Sequence, residues 1–176
     1  VAAVSAPRLR FESASVRLGR FSLSTGLVEP EPGRVTVLLG LNGSGKTTAL
    51  RAAAGLVRPA GGRVTLDGAD VHGLPAAIRA ARIAFVPQRT EVGAPFTVRE
   101  VVGLGRVALR SDPARVDAAL ASVGLAALAD RPFATLSGGQ QQRVGVARAL
   151  AQHSPGGRTK PAAARPPRCR SAQAAR

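Results

Sequence analysis

Apolar positions along the chain fall into short runs and helical stripes separated by turn residues, and this alternation stops at residue 152. Arg34-Val35-Thr36-Val37-Leu38-Leu39 is a β-branched apolar run of strand length followed at once by glycines, which predicts a buried strand. Lys46 to Ala54 is rich in Ala and Leu and predicts a helix, ended by Gly55 at the C-cap and by the turn Pro59-Ala60-Gly61-Gly62. Arg63-Val64-Thr65-Leu66 alternates as a half-exposed strand that closes at Asp67-Gly68. A short helix is predicted from Pro75, and Ile83-Ala84-Phe85-Val86 reads as a strand stopped by Pro87. Thr97-Val98-Arg99-Glu100 is a capping box, Asp112-Pro113 pairs an N-cap with an N1 proline, and together they open a helix-rich segment over about 97–130. Ser137-Gly138-Gly139-Gln140 repeats the capping logic before a helix from Gln140 to Gln152, whose Val144, Val146, Ala147 and Leu150 are expected on one side. Residues 1–152 thus read as one domain. Residues 153–176 hold six basic residues, four prolines and no acid, Val, Ile, Leu or Phe, so this tail has nothing to bury and is predicted disordered.

Charge at first suggests another picture. Lys and Arg total 25 against 10 acids, a net +15, which points towards nucleic acid or an anionic membrane. Six of those charges lie in the tail, and the remaining nine (19 basic minus 10 acidic) are spread over 1–152 without clustering. Aromatics are 3%, with no Trp or Tyr, which removes the stacking platforms of a single-strand binder, so no nucleic acid partner is expected. The lone Cys169 excludes a disulfide framework and a cysteine metal cage and suits a reducing compartment. No run approaches the roughly 18–20 apolar residues of a membrane span, and Val1 to Phe11 has no apolar signal region, so a soluble, cytoplasmic chain is expected.

Lysine is nearly absent: only Lys46 and Lys160 occur, in a chain where arginine is the default cation. Lys46 closes Gly40-Leu41-Asn42-Gly43-Ser44-Gly45-Lys46-Thr47, which fits G-x-x-x-x-G-K-[ST] between an expected strand and an expected helix. Glycines in such a loop turn backbone amides inward around phosphates, and the helix N-terminus adds partial positive charge. Lys46 would reach the β- and γ-phosphates as a compact point charge, while the Thr47 hydroxyl would help hold Mg²⁺. A second phosphate-suited start is Leu136-Ser137-Gly138-Gly139-Gln140, with a hydroxyl, exposed amides and a new helix dipole. Alone, that string could also be a capped helix start, though its chemistry favours phosphate.

The P-loop, Val86-Pro87-Gln88 and LSGGQQQRV, in this order and spacing, resemble the nucleotide-binding subunit of ABC transporters. The resemblance implies an α/β fold of the P-loop NTPase type, with an antiparallel β subdomain, a helical subdomain over about 97–130 and, for this chain, an incomplete core sheet. It implies ATP and Mg²⁺ as cofactors: Gly40, Asn42, Gly43, Ser44, Gly45 and Lys46 around the phosphates, Thr48 at the α-phosphate, and Thr47 and Gln88 facing the metal. Ser137, Gly138, Gly139 and Gln140 would serve ATP held by a second chain, so the implied partners are a homodimer or paired ATP-binding subunit and membrane permease subunits beside the Q-loop that carries Gln88. The implied location is cytoplasmic and peripheral on the inner face of the membrane. Pro95 to Arg106 further resembles subunits that import metals or metal chelates.

The resemblance covers about 9–152 and then departs. The family continues into the Walker B Asp-Glu pair, a D-loop and a switch histidine, yet no acid follows Asp130 here, and His153 directly follows the signature helix, a position for a surface residue rather than the switch. No catalytic base can therefore be assigned, and ATP turnover is expected to be weak or absent. The change at 153 is read as a truncation or reading-frame change, and losing the neighbouring strand is expected to uncover the apolar side of 34–39 and make the chain unstable or prone to aggregate. Near Leu18 the family places an adenine-stacking aromatic, for which Phe21 or Phe11 could substitute. Two alternatives stand beside the transporter reading, a non-functional gene fragment and a soluble ABC-type ATPase not linked to transport.

Overall fold

The computed structural model describes residues 7–90 and 92–152, so the tail read from 153 onward lies outside the described residues. β1 (Leu9–Leu18) is the central element of an antiparallel sheet completed by β2 (Phe21–Ser24), β3 (Leu27–Val28), β4 (Gly61–Leu66) and β5 (Ala69–Asp70), ordered β2-β1-β4-β5 with β3 also on β1. Sequence reasoning had placed only β4 individually. β1 turns Phe11, Ala14 and Val16 into the core, and the three-residue step from Glu12 to Ser15 faces a two-residue step from Arg63 to Gly61 on β4. The extra residue makes a β-bulge, with Ser13 at φ 47. A side chain at Gly62 would place its Cβ 2.1 Å from the Ser13 carbonyl oxygen, so only glycine lets β4 approach the bulge. Asp67 and Gly68, at φ 51 and 81, form the expected two-residue turn between β4 and β5.

α1 (Lys46–Ala53) lays Ala52 and Ala53 into the sheet's core with Phe11, Val64, Leu66 and Val71. It ends in a Schellman motif: Gly55, at φ 71, donates to the Ala52 carbonyl at 3.0 Å, and Leu56 donates to the Arg51 carbonyl at 2.8 Å. After α2 (Ala76–Arg82) a second core forms where α3 (Val98–Gly103), α4 (Pro113–Ser122) and α5 (Gly138–Gln152) meet around Val98, Val101, Leu120, Leu125, Phe133 and Val144. Both predicted starts hold. Thr97 and Glu100 exchange capping hydrogen bonds, and the Asp112 carboxylate accepts from the Arg115 amide at 3.2 Å. Arg106, buried at the end of the 3₁₀ turn Leu104–Arg106, donates to the Ala151 carbonyl at 2.8 Å, placing its charge at the C-terminal end of α5.

Three expectations are corrected. Residues 34–39 form no ladder and are not buried: Val35, Val37 and Leu39 are 94%, 70% and 85% exposed. An apolar run becomes a buried strand only when strands flank it, and no described strand pairs with it. Residues 83–86 likewise run extended without a ladder partner, for the same reason. On α5 the core face is Val144, Ala147 and Ala151, at i, i+3 and i+7, while Val146 and Leu150 point to solvent, because α3 and α4 both pack on one side of the helix.

Candidate functional site

The chain leaves the exposed run at Gly40 and tightens into a turn in which the Ser44 amide donates to the Leu41 carbonyl at 3.2 Å. Gly43 and Gly45 sit at φ 81 and 93, a left-handed region that side chains avoid, as a glycine loop that turns its amides inward requires. The Lys46 ammonium folds over the loop, donating to the carbonyls of Gly40 at 2.8 Å and Leu41 at 2.6 Å. Asn42 and Thr47 are exposed at the loop and the helix start, and Thr48 is half-buried on the first turn. The β1–β2 hairpin braces the loop from behind. A Cβ on Gly45 would lie 2.7 Å from the Phe21 ring and 3.3 Å from Leu23, so a glycine here serves both the turn and the close packing.

Of the aromatics considered for a base, Phe11 is in the sheet core and cannot reach a ligand, whereas Phe21 is half-buried directly against the loop. Leu18 is 45% exposed at the end of the same hairpin.

Residues far apart in sequence meet beside the loop. Thr47 and Gln88 line a single cavity of about 460 Å³ together with Arg51, Phe85, Pro87 and Arg89. The Thr47 hydroxyl and the Gln88 amide oxygen are hard oxygen donors of the kind a Mg²⁺ ion takes, and two guanidinium groups suit polyphosphate, so the side chains present fit a Mg²⁺–nucleotide. Sequence reasoning had not singled out Arg51 and Arg89. The available signal was that Arg51 stands four residues after Thr47, on the same helix face, and Arg89 next to Gln88.

No carboxylate lines the cavity among the described residues. Among the described acids, Glu12 pairs with Arg63 at 2.6 Å, Glu29 with Arg10 at 2.6 Å, and Asp117 and Asp130 both with Arg99. Ser137, Gly138 and Gly139 stand exposed at the start of α5 and line no part of this cavity. Ser137 and Gln140 cap each other, the Ser137 amide donating to Gln140 Oε1 at 2.9 Å and the Gln140 amide to Ser137 Oγ at 3.4 Å. Two phosphate-suited helix starts therefore exist, and the second faces outward.

A family model described as ABC transporter matches residues 27–155, which takes in the P-loop, Gln88 and the signature. This chain belongs to the ABC transporter family. Among curated ABC relatives it is 45% identical over 138 residues to the hemin import ATP-binding protein HmuV of Pseudomonas entomophila, covering 76% of this chain and 54% of that protein. It is 46% identical over 129 residues to the cobalamin import ATP-binding protein BtuD of Halobacterium salinarum, covering 70% of this chain and 32% of that protein. The ABC chain described here thus spans about half, or less, of the length of these relatives. Among solved ABC structures, a bacterial exporter of the Atm1 family with ATP bound superposes with a TM-score of 0.72 at 27% identity, covering 86% of this chain and 29% of that one. A metal-chelate type ABC transporter in an inward-facing conformation gives 0.65 at 27% identity, covering 84% and 57%. The fold is that of the ABC P-loop NTPases, with its antiparallel sheet and helical part present and no parallel ladder among the described residues. No described helix is long and apolar enough to cross a membrane.

Proposed function

We propose that this chain binds Mg²⁺–ATP as the ATP-binding part of an ABC importer, and that it works in pairs on membrane permease subunits at the inner face of the membrane. The observation that carries the reading is the meeting of Thr47 and Gln88 in one arginine-lined cavity beside a glycine loop closed by Lys46. Backbone amides of 40–46 and the Lys46 ammonium bind the β- and γ-phosphates, Thr48 sits nearest the α-phosphate, and Arg51 and Arg89 add charge at the cavity wall. When bound, Mg²⁺ would be held by Thr47 and Gln88 and would neutralise phosphate charge. Phe21 packs on Gly45, which supports its serving as the aromatic that meets the adenine. The outward-facing Ser137, Gly138, Gly139 and Gln140 serve a nucleotide held by the paired chain.

Turnover by this chain is proposed to be slow, because no described carboxylate reaches the cavity to orient water. The permease-facing surface is the groove of about 390 Å³ where Leu56, Phe85, Leu104 and Val107 meet beside Arg79 and Arg148. A metal chelate is the proposed cargo, since relatives are named for hemin and cobalamin import. Titration calorimetry tests the reading: saturable Mg²⁺–ATP binding that Lys46→Ala weakens by at least about tenfold is expected, a difference of roughly 1.4 kcal/mol. Equal binding by the two forms overturns it.

A further inference from the structure

The stretch that carries Gln88 has no strand partner, yet it is pinned at both ends to a single helix. At one end Gln152, the last residue of α5, donates from Nε2 to the carbonyls of Ala80 at 2.7 Å and Ile83 at 2.8 Å, tying the exit of α2 to α5. At the other end, two helical turns back along α5, Gly145 is buried against the stretch. A Cβ there would lie 2.9 Å from Thr90 Oγ1 and 3.6 Å from Val86 Cγ1. Thr90, 9% exposed, is one of only three buried polar or charged residues among those described, and the other two, Thr65 and Arg106, sit within the sheet and the helical core. Between the two attachments Phe85, Pro87, Gln88 and Arg89 face the cavity and meet Thr47 and Arg51 of α1.

We infer that Gly145 and Gln152 are positioning residues, forming a clasp by which α5 holds residues 83–90 so that Gln88 stands opposite Thr47. An extended segment without ladder hydrogen bonds keeps one conformation only if something else over-determines it, and these are the contacts that do so. The clasp has a functional corollary. The helix that fixes the metal-facing glutamine of one nucleotide site is the same helix whose start carries Ser137, Gly138 and Gly139, so displacing the signature displaces Gln88. The inference rests on the reading of Thr47 and Gln88 as the metal-facing pair. What a side chain at 145 would crowd is the Thr90 hydroxyl: alanine is the better helix former, so Gly145→Ala keeps α5 while its methyl group pushes Thr90 away.

Two measurements on the full 176-residue chain test it. The first needs no nucleotide: limited trypsin digestion with the cut between Arg89 and Thr90 followed by mass spectrometry, and the cut after Arg17, within β1, as an internal reference. Gly145→Ala and Gln152→Leu are each expected to speed the Arg89 cut severalfold while leaving the Arg17 cut unchanged, and Thr90→Ala added to Gly145→Ala is expected to restore the slow cut. The second is ATP binding with Mg²⁺ and with EDTA. Gly145→Ala is expected to lose most of the Mg²⁺-dependent tightening and none of the binding in EDTA, with no further loss in a Gln88→Ala background. Wild-type rates at Arg89, equal acceleration at Arg17, or no rescue by Thr90→Ala overturns the clasp. Failure of the wild-type chain to bind ATP in either medium overturns the proposed function instead, while the digestion result still decides the clasp.

Discussion

Lys46 is the side chain where composition and geometry agree most closely. In a chain that uses arginine almost everywhere, one lysine stands in residues 1–152, and its ammonium, a point donor on a flexible stem, reaches two carbonyls of a loop too tight for a planar fork. Its neighbour Gly45 has two reasons to lack a side chain, a left-handed φ of 93 and the Phe21 ring behind it, so the loop and the hairpin form one braced unit. His72 carries the clearest pH consequence. Burial is the main cause that lowers its pKa below the ordinary 6.5; Asp70 opposes this, and Arg58 and Arg79 add to it. Its Nε2 is buried without a hydrogen-bond partner among the described residues. The folded state therefore prefers the neutral ring. Unfolded chains take up the proton first as pH falls below about 6.5, so this contribution is present at pH 7.5 and lost towards pH 5.5. The midpoint of urea unfolding is expected to drop across that window, and His72→Gln is expected to flatten the drop. Glu100, whose pKa is lowered by hydrogen bonds from the Thr97 amide and hydroxyl, loses its contribution only below its ordinary 4.5, outside the window.

At the scale of elements, local capping and turn chemistry survive wherever they are self-contained. The Thr97–Glu100 box, the Asp112 cap, the Gly55 Schellman end and the Asp67-Gly68 turn each close within a few residues, so nothing distant can undo them. The runs 34–39 and 83–86, predicted as strands, behave differently because a strand is half of a pair. Exposed Val35, Val37, Leu39 and Leu41 each forgo roughly 1.5–3 kcal/mol of burial. They also present unpaired backbone groups along an extended apolar edge, a template for association. Purified chain is expected to self-associate with rising concentration in sedimentation velocity runs. Val37→Lys with Leu39→Lys is expected to return it to monomer, and unchanged association would locate the contact elsewhere.

At the scale of the whole molecule, two cores coexist, one under the antiparallel sheet with α1 and one among α3, α4 and α5. The stretch 83–90 and the groove beside it join them, through Gln152, Gly145 and Arg148. Native-state hydrogen exchange is expected to follow this division. Amides of α3 to α5 and of β1 and β4 should be protected, and those of 35–39 and 84–86 should exchange at near-intrinsic rates; protection of 35–39 would show a ladder absent here. Much of the candidate site was legible in the sequence because the loop, the glutamine and the signature are contiguous motifs whose spacing encodes backbone conformation. Arg51, Arg89 and the clasp residues Gly145 and Gln152 were not legible, because each acts through a partner from 4 to 72 residues away that only packing brings near. By itself the sequence determined the P-loop turn, the helix starts and stops and the family. Tertiary structure decided which apolar runs find a partner and which do not. Caps and turns are short-range hydrogen-bond arrangements written in consecutive residues, whereas burial is a property of neighbours, and for 34–39 the described residues supply none.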